Sequence, residues 1–520
     1  MPYLRLLTNA LLAGVLGATV LAHLVLLLNP AMPLRPGVLF SLGWRVLVTA
    51  GALLTAAFFG ASLVRYLSTR RGPGWLSLRL LAWMTTLVVC LGALLAWLNL
   101  SAFEASLAPP AARRLAIAAA TLAVTGGGLL LIALVHYGFG RRGSRVGGAL
   151  VAIAVVASVV LPLVARGTGA MRPGVSGTVR AVDGSLREPS AGRVLLVLLD
   201  GASLDYVSPA AARGRLPHFG RLLDGGASLT LFSIEPREPE PIWAAVATGR
   251  YPPGTGVTSA EHYRGGWADV DLLPRYVFAD LLVYSGLLQP IAREPADLRG
   301  APIWRVLDAS DVPSVSAGWP LVREEVLRNG AIVTAGASHA ADAVSSDRAL
   351  RERFEAALAA RPAAVASIRY GALSALGGRE LGWRADPERR RALDAVYDFL
   401  DAEVGRMIAR LEPDDLLLVV SGYRLEPTSP IVRLRERLAD DAGLAAEANR
   451  SDGFLLAYGR QVSPGRKPVG AIVDVLPTVL YYLGLPVARE MDGFARTDIF
   501  VASLTTGRPV SFIRSYQGER

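Results

Sequence analysis

Within the first 165 residues, five apolar runs are each long enough to cross the hydrocarbon core of a bilayer, which takes about 20 helical residues. No other feature constrains this chain as strongly, because in lipid every backbone N–H and C=O must find its partner inside the protein. Runs of this length therefore fold as helices. They lie near Leu6 to Leu28, Val46 to Leu63, Leu80 to Leu98, Leu115 to Val135 and Val146 to Val164. The first lacks a convincing small-residue cleavage site and four more spans follow it, so it reads as a retained helix and not as a signal peptide.

Charge divides at the same boundary. Residues 1 to 165 hold twelve Arg, no Lys and one acid, Glu104, a net of +11; the remaining 42 basic and 43 acidic residues sum to −1. The overall +10 is thus a topology signal, and no nucleic-acid partner is expected. Arg5, Arg65, Arg70, Arg71, Arg79, Arg141, Arg142 and Arg145 lie on the N-terminal side of the spans, against Arg35, Arg45, Arg113 and Arg114 opposite. The positive-inside rule then places the N-terminus in the cytoplasm, and five spans deliver the rest of the chain to the outside. The one cysteine, Cys90, falls in the third span, so stability outside comes from a core and not from disulfides. Few polar groups interrupt the spans: His23 and His136 read as packed or interfacial, and Gly126-Gly127-Gly128 suits close helix approach.

After a Gly-, Pro- and Ser-bearing linker, residues 166 to 192, the run Val194-Leu195-Leu196-Val197-Leu198-Leu199 is unbroken in the way a parallel strand buried on both faces requires. It ends in Asp200-Gly201. One carboxylate is thereby placed at the C-terminal edge of a sheet, where ligands collect in open α/β folds. A second apolar strand, LLLVV, and a helical pattern from Ala392 to Leu411 point the same way. Residues 193 to 504 are expected to form one α/β domain with a largely parallel central sheet, followed by a tail, 505 to 520.

Five segments of this domain carry a family pattern. They are VLLVLLDG (194 to 201), LPHFGRLLDGGA (216 to 227), PIWAAVATGRYPPGTGV (241 to 257), YDFLDAEVGRMIARLEPDDLLLVVSGY (397 to 423), and RSDGFLLAYG with VDVLPTVLYYLGLPVAREMDG (450 to 459, 473 to 493). In this order and spacing the chain resembles the alkaline phosphatase superfamily, in its type I phosphodiesterase and nucleotide pyrophosphatase branch. The resemblance implies two metal ions, usually zinc, held by Asp and His around a Ser or Thr nucleophile.

Position by position, that machinery is missing. Asp200 matches the first metal ligand, and the nucleophile position falls on Pro239, which has no side-chain oxygen. An Asp-x-x-x-His pair is expected at Leu373 and Gly377, an Asp-His pair at Gly422 and Tyr423, and a last His at Asn449. One carboxylate among neutral neighbours gives weak, exchangeable binding of a hard dication. The chain is therefore read as a pseudoenzyme of this superfamily, with Asp200 vestigial and no cofactor. Asp200 itself would then form a turn or cap a helix, as a strand-end Asp before Gly commonly does.

The alternative is a working phosphodiesterase or phospho-transferase with a rebuilt zinc or other divalent site. Its donors would come from Glu235, Glu238 and Glu240 in the stretch EPREPEP and from Glu261-His262. His218 and His339 read as packed or surface residues. The architecture also resembles, at the level of fold, bacterial phosphoethanolamine transferases and lipoteichoic-acid synthases, which implies a multi-pass protein of the bacterial cytoplasmic membrane. The expected partners are the lipid bilayer and either an envelope protein or a phosphate-containing envelope compound.

Overall fold

Five helices carry the apolar runs: Pro2–Leu28, Pro36–Thr69, Leu78–Ser106, Pro109–Tyr137 and Arg145–Arg166. The computed structural model describes residues 2–69, 77–138, 145–168, 179–181, 184–234, 237–266, 269–277, 279–334, 343–380, 387–425 and 450–518. They divide into two compact units, one of Met1–Pro173 with Glu261–Ala292, the other of Gly174–Ala260 with Arg293–Arg520.

In the first unit, small residues set the helix spacing. A Cβ on Gly14 would stand 2.0 Å from Thr55 Oγ1 and 2.5 Å from the Gly51 carbonyl, so the first two spans meet nearly backbone to backbone. Of the three consecutive glycines in the fourth span only Gly126 makes such a contact, 3.0 Å from Cys90 Sγ. His136 packs against Gly147 of the fifth span. His23 reaches the Val159 carbonyl with Nε2 at 3.0 Å, three residues before Pro162, where a proline weakens the helix ladder. Both histidines thus join helices together. Arg166, 2% exposed, closes the bundle by donating to the carbonyls of Leu26, Asn29 and Met32 at the C-terminal end of the first helix. A cation there complements the helix dipole.

The segment Glu261–Ala292, which the sequence reading keeps with residues 193 to 504, groups by contact with the helices. It forms a small antiparallel sheet, β3 (Glu261–Gly265) between β4 (Asp269–Val270) and β5 (Leu288–Ala292). Val270, Ala279, Leu282 and Leu288 share an apolar core with Leu21, Val25, Leu42 and Val46 of the first two spans. Two buried asparagines hold its loop by the backbone. Asn29 Oδ1 accepts from the amides of Asp271 (2.8 Å) and Leu272 (3.0 Å), and its Nδ2 donates to the Leu272 carbonyl. Asn99 does the same for Arg275, accepting its N–H at 2.7 Å and donating to its C=O at 3.1 Å. An amide side chain matches both backbone groups of an extended residue, which no apolar residue of this size can do.

The second unit is the expected α/β domain. Among the described residues its sheet has ten strands. The core runs in the order β8 (Gly330–Val333), β6 (Ser314–Ala317), β9 (Val365–Tyr370), β1 (Val194–Gly201), β10 (Leu416–Leu425), and all four neighbouring pairs are parallel. Antiparallel pairings flank it: β7 (Glu325–Leu327) on β8, β11 (Arg450–Tyr458) on β10, and β2 (Ala227–Phe232) on β11, which returns β2 to the direction of the core. Every residue of β1 is buried. Covering a Leu or Val side chain on both sheet faces contributes roughly 2 kcal/mol each, so the six apolar residues before Asp200 anchor the domain. Residues 179–181 and 184–191, within the linker read from composition, are pinned by hydrogen bonds such as Arg180 N–H to Tyr516 O, Glu188 N–H to Gly484 O and Ala191 N–H to Tyr482 O. The C-terminal stretch is likewise built in: Phe512–Ile513 pairs with Val487–Ala488, and the buried Tyr516 donates to the Pro486 carbonyl.

Replacing Asn29 by Ala strands two amides and a carbonyl of the Asp271–Leu272 loop and is expected to cost roughly 2–4 kcal/mol locally. Hydrogen exchange checks it: the Asp271 and Leu272 amides should exchange at least about tenfold faster in Asn29→Ala, and unchanged protection would refute the role.

Candidate functional site

Strand β1 delivers Asp200 to the C-terminal edge of the sheet, and Gly201, with φ +84°, turns the chain away immediately after it. The carboxylate is 1% exposed. A buried ionised group needs partners, and Asp200 has two. Trp243 Nε1 donates to Oδ1 at 2.6 Å, and Arg369 grips both oxygens, through Nε at 3.1 Å to each and through Nη2 to Oδ2.

Register explains the pairing. In the parallel β1–β9 ladder Arg369 lies beside Leu198, and Asp200, two residues on, shares that face of the sheet. The guanidinium is held from its other end by Nη1 donating to the Gly318 carbonyl at 3.0 Å. Burial alone lowers the pKa of Arg369, but the Asp200 carboxylate outweighs it, with Glu240 and Tyr423 adding to the field, so the group stays above its ordinary value. Arg369 is the residue that sequence reasoning missed. Its signal was there: in the window Val365 to Gly378, which holds no Asp, Glu or His, it is the single charged side chain.

Trp243 comes from the helix Pro239–Thr248, which starts where the resemblance puts the nucleophile. Pro239 occupies the first turn, a position that suits proline since its missing N–H has no helical acceptor there. Trp243 is fully buried and meets Trp319 edge to face at 6.4 Å; Trp319 in turn meets Trp304 at 5.5 Å. Trp319 Nε1 donates to Ser367 Oγ at 2.9 Å, so each of these two indole N–H groups has an acceptor.

The remaining ligand positions hold packing residues. Leu373 is 1% exposed in the helix Ala372–Glu380, which also contains Gly377. Gly422 lies in β10 against Ile242, where a Cβ would stand 2.3 Å from Ile242 Cγ2. Tyr423 is buried with its hydroxyl 3.2 Å from Ser374 Oγ. Asn449, Glu235 and His339 lie outside the described residues.

Of the donors for a rebuilt site, Glu238 precedes the Pro239–Thr248 helix and accepts the Ala260 amide through Oε2. Glu240 is in the first turn of that helix, within electrostatic reach of Arg369. Glu261 and His262 belong to β3 in the other compact unit. His218 packs its ring on Gly405, with its backbone amide bound to Asp401. Among the described residues no three His, Cys, Asp or Glu side chains stand together as a metal-holding group. With both Asp200 oxygens engaged as well, these residues do not fit the metal pair that the resemblance implies.

One further carboxylate lies close by. Asp347, in the helix Ala343–Ala360, accepts from the amides of Gly371 (3.1 Å) and Ala372 (2.9 Å), capping the helix that holds Leu373. Burial pushes its carboxyl up to about 6; Asp200 adds to the rise, while the two amides and Arg369 oppose it.

Two outcomes follow from this packing. Gly422→Ala should cost about 2 kcal/mol through overlap with Ile242, and the paired variant with Ile242→Ala should lose less than the two single losses summed. Denaturant midpoints measure both, and strict additivity would refute the contact. The Asp347 carboxyl is raised in the folded state, so its contribution to stability is fully present below pH 3.8 and is lost as pH rises through about 6. Across that window wild type should lose about 2–3 kcal/mol relative to Asp347→Asn in urea titrations, and parallel pH profiles would contradict it.

Residues 194–468, more than half of the chain, match the model of the type I phosphodiesterase / nucleotide pyrophosphatase family. No curated protein matches the chain in sequence. Among solved structures it is similar to murine ectonucleotide pyrophosphatase/phosphodiesterase 5, an inactive form in complex with AMP, at 14% identity over 60% of this chain and 100% of that one, with a TM-score of 0.40. The human protein of the same name is similar at 14% identity over 60% and 100%, with a TM-score of 0.39. With five long apolar helices ahead of this α/β domain, the chain belongs to the type I phosphodiesterase and nucleotide pyrophosphatase family of the alkaline phosphatase superfamily.

Proposed function

We propose that this protein is a membrane-anchored, non-hydrolytic member of its family that serves as a binding or scaffold component at the outer face of a bacterial cytoplasmic membrane. The observation that carries the reading is the state of Asp200: buried, with both oxygens engaged by Trp243 and Arg369. A side chain so engaged has no lone pair directed at a metal or a substrate. Pro239 at the nucleophile position, Leu373 in the apolar core and the missing space at Gly422 support it independently. No cofactor is expected, and the partners are the bilayer and an envelope protein or phosphate-containing envelope compound. The Arg asymmetry of the spans supports a cytoplasmic N-terminus and an extracytoplasmic C-terminal domain.

The competing reading, a rebuilt site on Glu238, Glu240 and His262, is less well supported because Glu238 is already bound to the Ala260 amide. Full-length protein in detergent decides between them. It should carry no stoichiometric zinc and should turn over neither bis(p-nitrophenyl) phosphate nor p-nitrophenyl phosphate, since a nucleophile and its metal ligands fail together rather than additively. Metal-dependent turnover that disappears in Glu240→Ala or His262→Ala at unchanged thermal midpoint would establish the rebuilt-site enzyme instead.

A further inference from the structure

We propose that Arg369 is the built-in cation of this site, balancing the buried Asp200 carboxylate from within the chain and so keeping divalent metal out of the strand edge. This rests on the non-hydrolytic reading and deepens it. An ionised carboxylate that is 1% exposed is tolerated only with a positive or strongly donating partner, and the family pattern at this position implies metal for that purpose. Here the partner is a guanidinium. Its planar fork meets both oxygens of Asp200, a geometry that the point charge of a lysine does not reproduce.

The cation is not free to swing aside. Nη1 is tied to the Gly318 carbonyl at 3.0 Å, at the end of β6, so moving the head would break contacts to two neighbouring segments at once. Trp243 Nε1 takes a further lone pair of Oδ1 at 2.6 Å. A metal entering here would have to displace the guanidinium or stand beside it as a like charge in a buried setting, and both are unfavourable. Glu240, whose charge acts on Arg369, faces a cation already in place.

Thermal unfolding of the full-length protein in detergent, with and without zinc, tests the proposal, together with zinc content after gel filtration. Wild type should hold no zinc and shift by less than about 1 °C. Arg369→Ala strands the carboxylate and should unfold roughly 8 °C lower. Zinc at millimolar concentration should restore part of that loss without remaining bound through gel filtration, because a single carboxylate holds a dication weakly and exchangeably. The neutral pair Asp200→Asn/Arg369→Gln should unfold above Arg369→Ala and be indifferent to zinc. An Arg369→Ala midpoint equal to wild type, no recovery of that variant by zinc, a neutral pair no better than the single variant, or stoichiometric zinc on wild type would each overturn it. If Arg369→Ala gives no folded protein, the neutral pair decides: folded and indifferent to zinc upholds the charge-balance role, unfolded refutes it. Phosphodiester turnover by wild type with these stability results intact would sink the non-hydrolytic reading alone.

Discussion

The ion pair between Asp200 and Arg369 organises the α/β unit around its sheet edge. Six apolar residues of β1 are committed to burial on both faces, and the chain must then place a carboxylate at the end of that strand in the same dry environment. Parallel pairing with β9 brings Arg369 to the same face, and the Trp243 indole closes the third side. The helix Pro239–Thr248, the β9 strand and the turn at Gly318 are all tied to this one carboxylate or to its partner. Coulombic attraction in a low-dielectric setting makes such a pair strong and makes the loss of either member alone costly.

The surroundings of the pair are closely packed. At Gly422, where the resemblance implies a metal ligand, the space is filled by Ile242, and Leu373 is buried as well. Asp347 does keep an acid in the neighbourhood, but its oxygens serve the amides of Gly371 and Ala372 and its carboxyl is pushed up to about 6 by burial. It works as a helix cap. The polar groups of this region thus satisfy one another, as a buried network requires.

The helical unit follows another rule, that of backbone satisfaction in lipid. Arg166 absorbs the carbonyls that end the first helix, and Asn29 and Asn99 take up the backbone of the loop around Leu272 and Arg275. The segment Glu261–Ala292, drawn from the middle of the later sequence, is held by these amides and by a shared apolar core. Two asparagines just past the ends of apolar runs look unremarkable in sequence, because their partners lie 243 and 176 residues away.

Local pattern by itself determined the five helices, the buried strand ending at Asp200, the largely parallel sheet and the family, because periodicity, run length and motif order are properties of neighbouring residues. It also raised the expectation that Pro239, Leu373, Gly377, Gly422, Tyr423 and Asn449 stand at the family's nucleophile and ligand positions. Only the tertiary structure decided what surrounds Asp200. That Arg369 answers Asp200 depends on which strand pairs with β1 and in what register, a choice made across a sequence separation of 169. That Gly422 has no room for a ligand depends on Ile242, and that Glu261–Ala292 groups with the helices depends on Asn29 and Asn99. Contacts between residues far apart in the chain leave no periodic trace in it, and in this protein those contacts determine what surrounds Asp200.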